Sequence, residues 1–180
     1  MSNHTLSNHS PAHHSAHQPH LPPLPVVISL IIHENKILLI KRVRGSYVGL
    51  WSMPGGKIEP KEHINEAIMR ETLEEAGIET TFVRLQGIVS EHLLEQDKLV
   101  NHFLIYLCQL QAKTTEVKEG KEGMLQWFDL ATVEEFKDAI IPSDYLIIQK
   151  IIKNNDGFYY NSVIHKDYEN YSQKKFEKVC

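Results

Sequence analysis

Residues 56–78 read GKIEPKEHINEAIMRETLEEAGI, and this stretch decides the fold of the chain. Its second half is rich in helix-forming residues and predicts a helix that ends at Gly77, because glycine readily adopts the left-handed backbone of a helix end. On a helix, residues three or four positions apart are surface neighbours, with Cβ atoms about 5 to 6 Å apart. We therefore expect Glu71, Glu74 and Glu75 to face one point.

Three ionised carboxylates at this spacing repel one another, so either some of them take up protons or a cation lies between them. The candidate ligands are all oxygen atoms, with no Cys or His at matching offsets, which favours Mg²⁺ or Mn²⁺ over zinc. Mg²⁺ held in this way usually accompanies the phosphates of a substrate. The sequence thus predicts a hard divalent cation as cofactor.

A solvated acidic helix face is the alternative interpretation of these glutamates, since such faces are common on protein surfaces. The flanking residues argue against it. Upstream, Gly55 and Gly56 predict a turn that brings bare backbone close to a ligand. The helix itself is expected to bury a counter-face made of Ile64, Ala67, Ile68 and Leu73.

The spacing of this stretch resembles the signature box of the Nudix hydrolases, Gly-x5-Glu-x7-Arg-Glu-x2-Glu-Glu-x-Gly followed by an aliphatic residue. The resemblance implies an α/β protein, an α/β/α sandwich with a mixed central sheet. It also implies hydrolysis of a nucleoside diphosphate linked to another group X. In the family pattern Arg70 orients the glutamates and Glu62 steadies the junction between loop and helix. The Mg²⁺ ligands implied by the resemblance are the carbonyl of Gly55 and the carboxylates of Glu71, Glu74 and Glu75.

Three positions depart from the usual box. Thr72 stands where an aliphatic residue is usual, Lys61 where glycine is frequent, and His63 where serine or threonine is frequent. His63 occupies the predicted N-cap, where a poorer cap than a hydroxyl costs on the order of 1 kcal/mol of helix stability. None of the three departures removes a proposed metal ligand.

The resemblance further implies that a carboxylate activates the water that attacks phosphorus. Glu71 is the first candidate for this base and Glu74 the second, since three coupled acids cannot be assigned individually from sequence. A further metal ligand in the family often lies in the loop before the strand of Trp127. Glu122 is the best match there and Glu119 the reserve, with a solvated loop charge as the equal alternative for either.

Substrate-binding candidates lie outside the box. Arg42 and Arg44 are candidates for binding phosphates, since a guanidinium can pair with two oxygens at once; ordinary surface charge is the alternative. In family members that hydrolyse oxidised guanine nucleotides, an asparagine before the last helix reads the base. Ser143 and Asp144 are the nearest positions here, and the carboxyl group of Asp144 can also address a purine edge. Candidates for stacking on a base, with a core role favoured for the last two, are Trp51, Phe103 and Phe128.

Apolar runs at residues 26–32 and 36–41 predict a hairpin at the start of the folded body. One later strand, at residues 99–110, is apolar on both faces, which predicts a position at the centre of a sheet. Other strands are predicted at residues 51–53, 80–92 and 124–128. Helices are predicted at residues 132–138 and 143–153.

The two ends of the chain differ from its middle in composition. Residues 1–25 contain no Lys, Arg, Asp or Glu but hold five of the eight prolines and six of the eleven histidines. This composition predicts a disordered leader, with functional metal binding by its histidines disfavoured, ahead of a hydrolase domain at residues 26–156. Residues 157–180 are predicted to be a C-terminal extension. A locally packed extension is favoured there, and a strand pair or a contact with a second subunit of a homodimer stays open.

Charge and cysteine content narrow the class of protein. A net charge of −4 gives no general footprint for nucleic-acid binding. Cys108 and Cys180 are too few for a disulfide framework, and no apolar stretch approaches the roughly 20 residues needed to cross a bilayer. We therefore expect a cytoplasmic protein that acts on a small-molecule nucleotide, with neither nucleic acid nor membrane as partner.

The favoured function is a Mg²⁺-dependent pyrophosphohydrolase, with Mn²⁺ as a substitute metal, that acts on a nucleoside triphosphate or an oxidised nucleotide. An ADP-ribose or nucleotide-sugar pyrophosphatase is the runner-up. A non-catalytic module that senses a nucleotide is disfavoured, because a pure binder has no need for every carboxylate of the box.

Overall fold

Nine strands form one mixed sheet in the computed structural model, which describes residues 21–118 and 123–180. The path through the sheet runs β3-β2-β1-β6-β5-β8-β9, with β4 paired to β1 and β7 paired to β2. The β1–β6 and β5–β8 pairs are parallel. The strands are Leu24–His33 (β1), Lys36–Lys41 (β2), Trp51–Ser52 (β3), Gly55–Lys57 (β4), Thr80–Glu95 (β5), Lys98–Ala112 (β6), Leu125–Asp129 (β7), Tyr159–Asp167 (β8) and Asn170–Lys178 (β9).

Strand β1 joins the two halves of the sheet. The predicted hairpin is confirmed, and its turn uses Glu34 and Asn35 with positive φ angles of 44° and 63°. The two strands pair directly only next to this turn, at Ile32 with Ile37 and His33 with Lys36. The rest of β1 pairs with β4 on one side and β6 on the other, so β1 belongs to both halves.

The prediction that residues 99–110 form a central strand is confirmed by β6, which lies between β1 and β5. Its side chains alternate between two hydrophobic clusters, as expected for a strand covered on both faces. Ile105 and Leu107 belong to one cluster, and Cys108 and Leu110 belong to the other. Helices cover both clusters, so the α/β/α layering implied by the sequence is present.

One covering helix is α1, Ile64–Ala76, which corresponds to the predicted helix of the box. It begins at the N-cap residue His63, whose backbone N–H donates to the carboxylate of Glu66 at 2.8 Å. It ends at Gly77, whose φ of +65° is the predicted left-handed conformation.

The buried face of α1 differs from the prediction at one position. Ala67 and Ile68 are buried as expected, whereas Leu73 is 51% exposed, so its prediction as a buried residue was wrong. Five residues along a helix correspond to about 140° of rotation, which takes Leu73 away from the side of Ile68. Thr72 is buried instead, and its hydroxyl donates to the carbonyl of Ile68 at 2.7 Å. This bond satisfies a polar group at a position where the box usually has an aliphatic residue.

The opposite face of the sheet is covered by a helical region whose type was only partly predicted. The segment Val133–Ala139 is a 3₁₀-helix, and α2 spans Pro142–Leu146 before a π-helical segment at Ile147–Ile152. Ile147, Ile148 and Ile151 are fully buried and pack on the core. Within the described ranges, no helix has the length and apolar character needed to cross a membrane.

The two ends of the described chain are tied into the sheet. Strand β1 begins at Leu24, inside the stretch predicted as a leader; residues 1–20 lie outside the described residues. At the other end, β8 pairs in parallel with β5, and β9 pairs antiparallel with β8. Of the alternatives for residues 157–180, the structure therefore shows the strand pair.

The packing of α1 predicts different costs for two truncations of similar size. Ile68→Ala removes a fully buried side chain and should lower the free energy of unfolding by about 2 to 5 kcal/mol. Leu73→Ala, on the exposed side of the same helix, should change it by no more than about 0.5 kcal/mol. Urea unfolding followed by circular dichroism measures both values. Equal losses would contradict the placement of the two residues.

Candidate active site

A cavity of about 750 Å³ opens beside the box helix. It lies between the acidic face of α1, the β4 turn, and the segment that follows β2. The floor is made by side chains of β5, β6 and the start of α2. Most of the predicted site residues line this one cavity, namely Arg42, Arg44, Gly55, Arg70, Glu71, Glu74, Glu75 and Asp144.

Two glycines allow the turn at β4 to lie against both β1 and α1. A Cβ atom on Gly55 would overlap the backbone carbonyl of Val27, and a Cβ atom on Gly56 would overlap the carboxylate of Glu71. A larger residue at position 55 would force the backbone to move, and one at position 56 would displace the carboxylate of Glu71. The predicted close approach of bare backbone to the acidic stripe is therefore what the structure shows.

The turn is held in place from both sides. The backbone N–H and the hydroxyl of Ser29 donate to the carbonyl of Pro54, at 2.8 Å and 2.9 Å. On the helix side, the N–H of Gly55 donates to Oε2 of Glu75 at 2.8 Å. Glu75 is only 9% exposed, so this bond supports a carboxylate that has lost most of its contact with water.

Arg70 binds three carboxylates of the box. Its Nε and Nη2 donate to Glu62 at 2.7 Å and 2.9 Å, and its Nη1 lies 2.9 Å from Glu71 and 3.4 Å from Glu74. The hydrogen bond from Arg70 lowers the pKa of Glu62 to about 2. The pKa of Arg70 is in turn raised, first by its bond to Glu62 and also by Glu71. The guanidinium thus links Glu62 to two glutamates of the acidic stripe.

The three glutamates line the same cavity but do not converge on one point, which corrects the geometry expected from their spacing. Glu71 and Glu74 point to Nη1 of Arg70, whereas Glu75 points to the N–H of Gly55. In the described parts of the chain, no three Asp, Glu, His or Cys side chains are close enough together to hold a metal ion. The other candidate ligands, Glu122 and its reserve Glu119, lie outside the described residues.

Asp144 also lines the cavity and is 5% exposed. Its Oδ2 accepts the backbone N–H of Met53 at 2.9 Å. Burial raises the pKa of Asp144 to about 7; the bond from Met53 opposes this rise, and the nearby charge of Glu91 adds to it. A carboxyl group with this pKa exchanges its proton near neutral pH, which suits a group that meets a polar ligand.

Glu91 is a buried carboxyl group at the cavity that the sequence analysis missed. It is 1% exposed and accepts hydrogen bonds from the hydroxyls of Tyr47, at 2.7 Å, and Ser162, at 3.1 Å. Burial raises its pKa, and these bonds oppose the rise. One signal in the sequence does point to it. Val89, Glu91 and Leu93 alternate along one strand, so a charge is placed on the same face as two buried apolar residues.

Two serine hydroxyls at the cavity lack a partner. Ser143 is 1% exposed and Ser52 is 3% exposed, and the Oγ atom of each has no hydrogen-bond partner among the described residues. The Ser143 hydroxyl is close enough to Glu91 to stabilise its ionised form without meeting hydrogen-bond geometry. Buried hydroxyls normally have partners, so this end of the cavity offers polar groups that a ligand can satisfy.

The aromatic candidates are not equally placed. Trp51 is 7% exposed and packs edge-to-face on Phe128, with ring centroids 4.9 Å apart. Neither ring lines the cavity, so the prediction that Trp51 contacts the substrate is corrected to a core role. Phe103 lines the cavity as well as packing against the core. Of the three rings, only Phe103 is on the cavity wall.

Comparison with known proteins gives a family match, two relatives and a solved structure of similar fold. The sequence matches the NUDIX domain family over residues 22–149. A Bacillus subtilis (strain 168) protein named "Uncharacterized Nudix hydrolase YvcI" is 30% identical over 121 residues, which make up 67% of this chain and 73% of that protein. An ADP-ribose pyrophosphatase of Methanocaldococcus jannaschii is 32% identical over 130 residues, or 71% of this chain and 75% of that protein. The fold matches the crystal structure of a MutT protein from Bacillus halodurans, with a TM-score of 0.67 and 23% identity over 86% of this chain and 96% of that one.

The burial of Asp144 should make stability depend on pH. Its pKa of about 7 in the folded protein lies above the ordinary value of 3.8. The folded state therefore keeps this proton over a range in which the unfolded state releases it, and stability falls as pH rises through that range. Asp144→Asn cannot ionise but still has an oxygen for the N–H of Met53. We expect the melting temperature of this variant, relative to wild type, to rise by several degrees from about pH 5 to about pH 8.

Asp138→Asn is the matched control for this measurement, because Asp138 is exposed. Its melting temperature should follow that of wild type across the same pH range when both are measured by scanning calorimetry. A constant difference between Asp144→Asn and wild type would show that the Asp144 carboxyl group does not hold its proton.

Proposed function

This chain belongs to the Nudix hydrolase family, and on that premise we propose that it cleaves the pyrophosphate linkage of a nucleoside triphosphate or related nucleotide with the help of Mg²⁺. Mn²⁺ is the proposed substitute. One observation carries the proposal. The acidic stripe of the box and a buried polar end with unpartnered hydroxyls line the same cavity. The acidic stripe, with a bound cation, suits the phosphates of a nucleotide. The buried polar end suits its base.

The distance between the two ends is set by one short piece of backbone. Asp144 accepts the N–H of Met53, and Glu75 accepts the N–H of Gly55. These two nitrogen atoms are two residues apart, so they are separated by no more than about 7 Å. A single nucleotide is long enough to reach from one carboxyl group to the other, with its phosphates at the glutamates.

The donor set at the acidic end suits a hard cation in its chemistry, because every candidate ligand is an oxygen atom. We propose as its ligands the carboxylates of Glu71, Glu74 and Glu75 together with the carbonyl of Gly55. To hold the ion, the three carboxylates must turn toward one another from their present partners. When bound, Mg²⁺ would neutralise phosphate oxygens and lower the pKa of a coordinated water. Binding of the cation would break the contacts of Arg70 Nη1 with Glu71 and Glu74. The bonds from Nε and Nη2 to Glu62 can remain.

The residues of this chain supply the remaining parts of the reaction. Glu71, or Glu74 as the alternative, takes the proton of the attacking water at a carboxylate oxygen. The water oxygen bonds to phosphorus while the bond to the bridging oxygen breaks, and the leaving phosphate departs in line with the electron pair. Arg42 and Arg44 are the proposed phosphate contacts on the opposite wall. Asp144 is the proposed contact to the base.

A second candidate substrate is ADP-ribose or a nucleotide sugar. The observation in its favour is the similarity to the Methanocaldococcus jannaschii protein that is named as an ADP-ribose pyrophosphatase. A module that only binds nucleotide is disfavoured, because all carboxylates of the box are present. We propose the cytoplasm as the location, since Cys108 and Cys180 are both free thiols.

Glu75→Gln should abolish metal-dependent hydrolysis. The amide retains an oxygen for the N–H of Gly55, so the fold should survive, but it has lost the charge that holds a cation. We expect kcat to fall by at least about 100-fold, measured as release of phosphate or pyrophosphate. Chelation should remove the activity of wild type, and Mn²⁺ should restore it in part.

Glu66→Gln is the control for Glu75→Gln, because Glu66 lies on the same helix and its carboxylate binds only the start of that helix. Its activity should remain close to that of wild type. The assay should be run on nucleoside triphosphates, oxidised nucleotides, ADP-ribose and dinucleoside polyphosphates. Full turnover of every substrate by Glu75→Gln would refute the proposed role of the box.

Asp144→Asn should change which base is preferred. A carboxyl group can donate or accept at the base edge according to its protonation, whereas an amide offers a fixed oxygen and a fixed NH₂ group. We expect the ratio of kcat/KM between purine and pyrimidine triphosphates to shift by about ten-fold or more, as for the loss of one well-formed polar contact. An unchanged ratio would show that the base is bound elsewhere.

A further inference from the structure

Residues 42–50, here called the 42–50 loop, contribute residues 42–47 to one wall of the cavity. The loop is closed at its base, where the N–H of Arg42 donates to the carbonyl of Leu50 at 2.9 Å and the N–H of Gly49 donates to the carbonyl of Arg42 at 2.8 Å. Inside it, Nε of Arg42 donates to the carbonyl of Ser46 at 2.8 Å. The conformation of this loop therefore decides where the proposed phosphate contacts lie.

Tyr47 adopts a backbone conformation in this loop that bulky residues rarely use. Its φ angle is +63°, in the left-handed region, and its side chain is only 5% exposed. Such a conformation persists only where the surrounding structure holds it, and residues of this kind are concentrated at ligand sites. The contacts that hold Tyr47 thus hold the wall of the cavity.

Those contacts come from the C-terminal strands. The hydroxyl of Tyr171, on β9, accepts the backbone N–H of Tyr47 at 3.2 Å, and the two rings pack with centroids 4.6 Å apart. At the other end of the side chain, the hydroxyl of Tyr47 donates to Glu91 at 2.7 Å. Both ends of Tyr47 are fixed, one directly by β9 and the other through Glu91.

Glu91 is itself fixed by the same pair of strands. Ser162, on β8, donates to its second carboxyl oxygen at 3.1 Å, and Nε2 of Gln173, on β9, donates to Ser162 at 2.9 Å. Strands β8 and β9 lie after residue 149, where the match to the family ends. The contacts that hold the cavity wall are thus a property of this chain outside the matched region.

We propose that the β8–β9 hairpin supports the substrate site from outside the cavity, with Tyr171 as a positioning residue that holds the 42–50 loop in its substrate-binding conformation. The proposal rests on the function proposed above, because it takes the cavity to be where the nucleotide binds. A loop that is ordered before binding loses less conformational entropy when the ligand arrives. The hairpin therefore contributes to affinity for the substrate, while the acids of the box carry out the reaction.

Tyr171→Phe tests the proposal with the smallest change. It removes the hydroxyl that accepts the N–H of Tyr47 and leaves the packed ring, and the pairing of β8 with β5 keeps the hairpin in the sheet. We expect KM for nucleotide to rise about three- to ten-fold, the effect of one lost hydrogen bond. We expect kcat to stay within about two-fold, because the interaction supports binding of substrate and transition state equally.

Tyr168→Phe is the matched control, because Tyr168 lies in the turn of the same hairpin and is 86% exposed. It makes the same chemical change without touching the loop, so its KM should equal that of wild type. A KM for Tyr171→Phe that also equals that of wild type would overturn the proposal. A loss of kcat alone would overturn it as well.

Limited trypsin digestion gives a second measurement that does not depend on activity. Arg42 and Arg44 lie in the loop and are cleavage sites for trypsin. Tyr171→Phe should be cut after these residues several-fold faster than wild type, because the loop leaves its held conformation more often, whereas Tyr168→Phe should be cut at the wild-type rate. Mass spectrometry of the fragments identifies the cleaved bond. Equal rates for all three proteins would overturn the proposal.

The two proposals fail in different ways. If wild type hydrolyses no compound in the substrate panel, the proposed function fails, and calorimetric titration with ATP and with GTP then decides the present proposal. Weaker nucleotide binding by Tyr171→Phe with faster cleavage would support it. Faster cleavage with unchanged binding would overturn it, and so would the absence of nucleotide binding by wild type.

Discussion

The close approach of the β4 turn to its neighbours is the constraint on which the rest of the structure depends. A side chain on Gly55 would overlap the backbone carbonyl of Val27, and one on Gly56 would displace the carboxylate of Glu71. This approach ties the first strand of the sheet to the box helix. It also places the backbone of residues 53–55 so that it binds Asp144 at one end and Glu75 at the other. The same close approach therefore determines both the packing of the turn and the arrangement of carboxyl groups in the cavity.

Features set by local pattern were predictable from the sequence. The box helix, its left-handed end at Gly77, the first hairpin and the central strand β6 all follow from periodicity and from glycine chemistry within one segment. The resemblance to the family also pointed to Asp144, which lines the cavity, although it is a carboxyl group inside α2 and not an asparagine before the helix. Local pattern was a weaker guide for α1, where it did not reveal that Thr72 rather than Leu73 faces the core.

Features set by contacts between distant segments were not predictable. Glu91 is 44 residues from Tyr47 and 71 residues from Ser162 in sequence, and only the folded sheet brings these groups together. The core role of Trp51 was not predictable for the same reason. It depends on the contact with Phe128, which is distant in sequence. Helical spacing correctly placed the glutamates on one cavity wall. It did not show that Arg70 and the Gly55 N–H would draw their carboxylates apart, because those partners are fixed by tertiary structure.

The parallel pairing of β8 with β5 has a consequence for the order in which the protein matures. Ribosomes synthesise a chain from its N-terminus, and folding begins with the segments that emerge first. The loop around Tyr47 emerges before the strand that carries Tyr171, which lies 124 residues later in the sequence. The hydrogen bond that holds this cavity wall therefore forms only after β9 has been made, so a nascent chain that has already formed the box helix does not yet have a finished pocket.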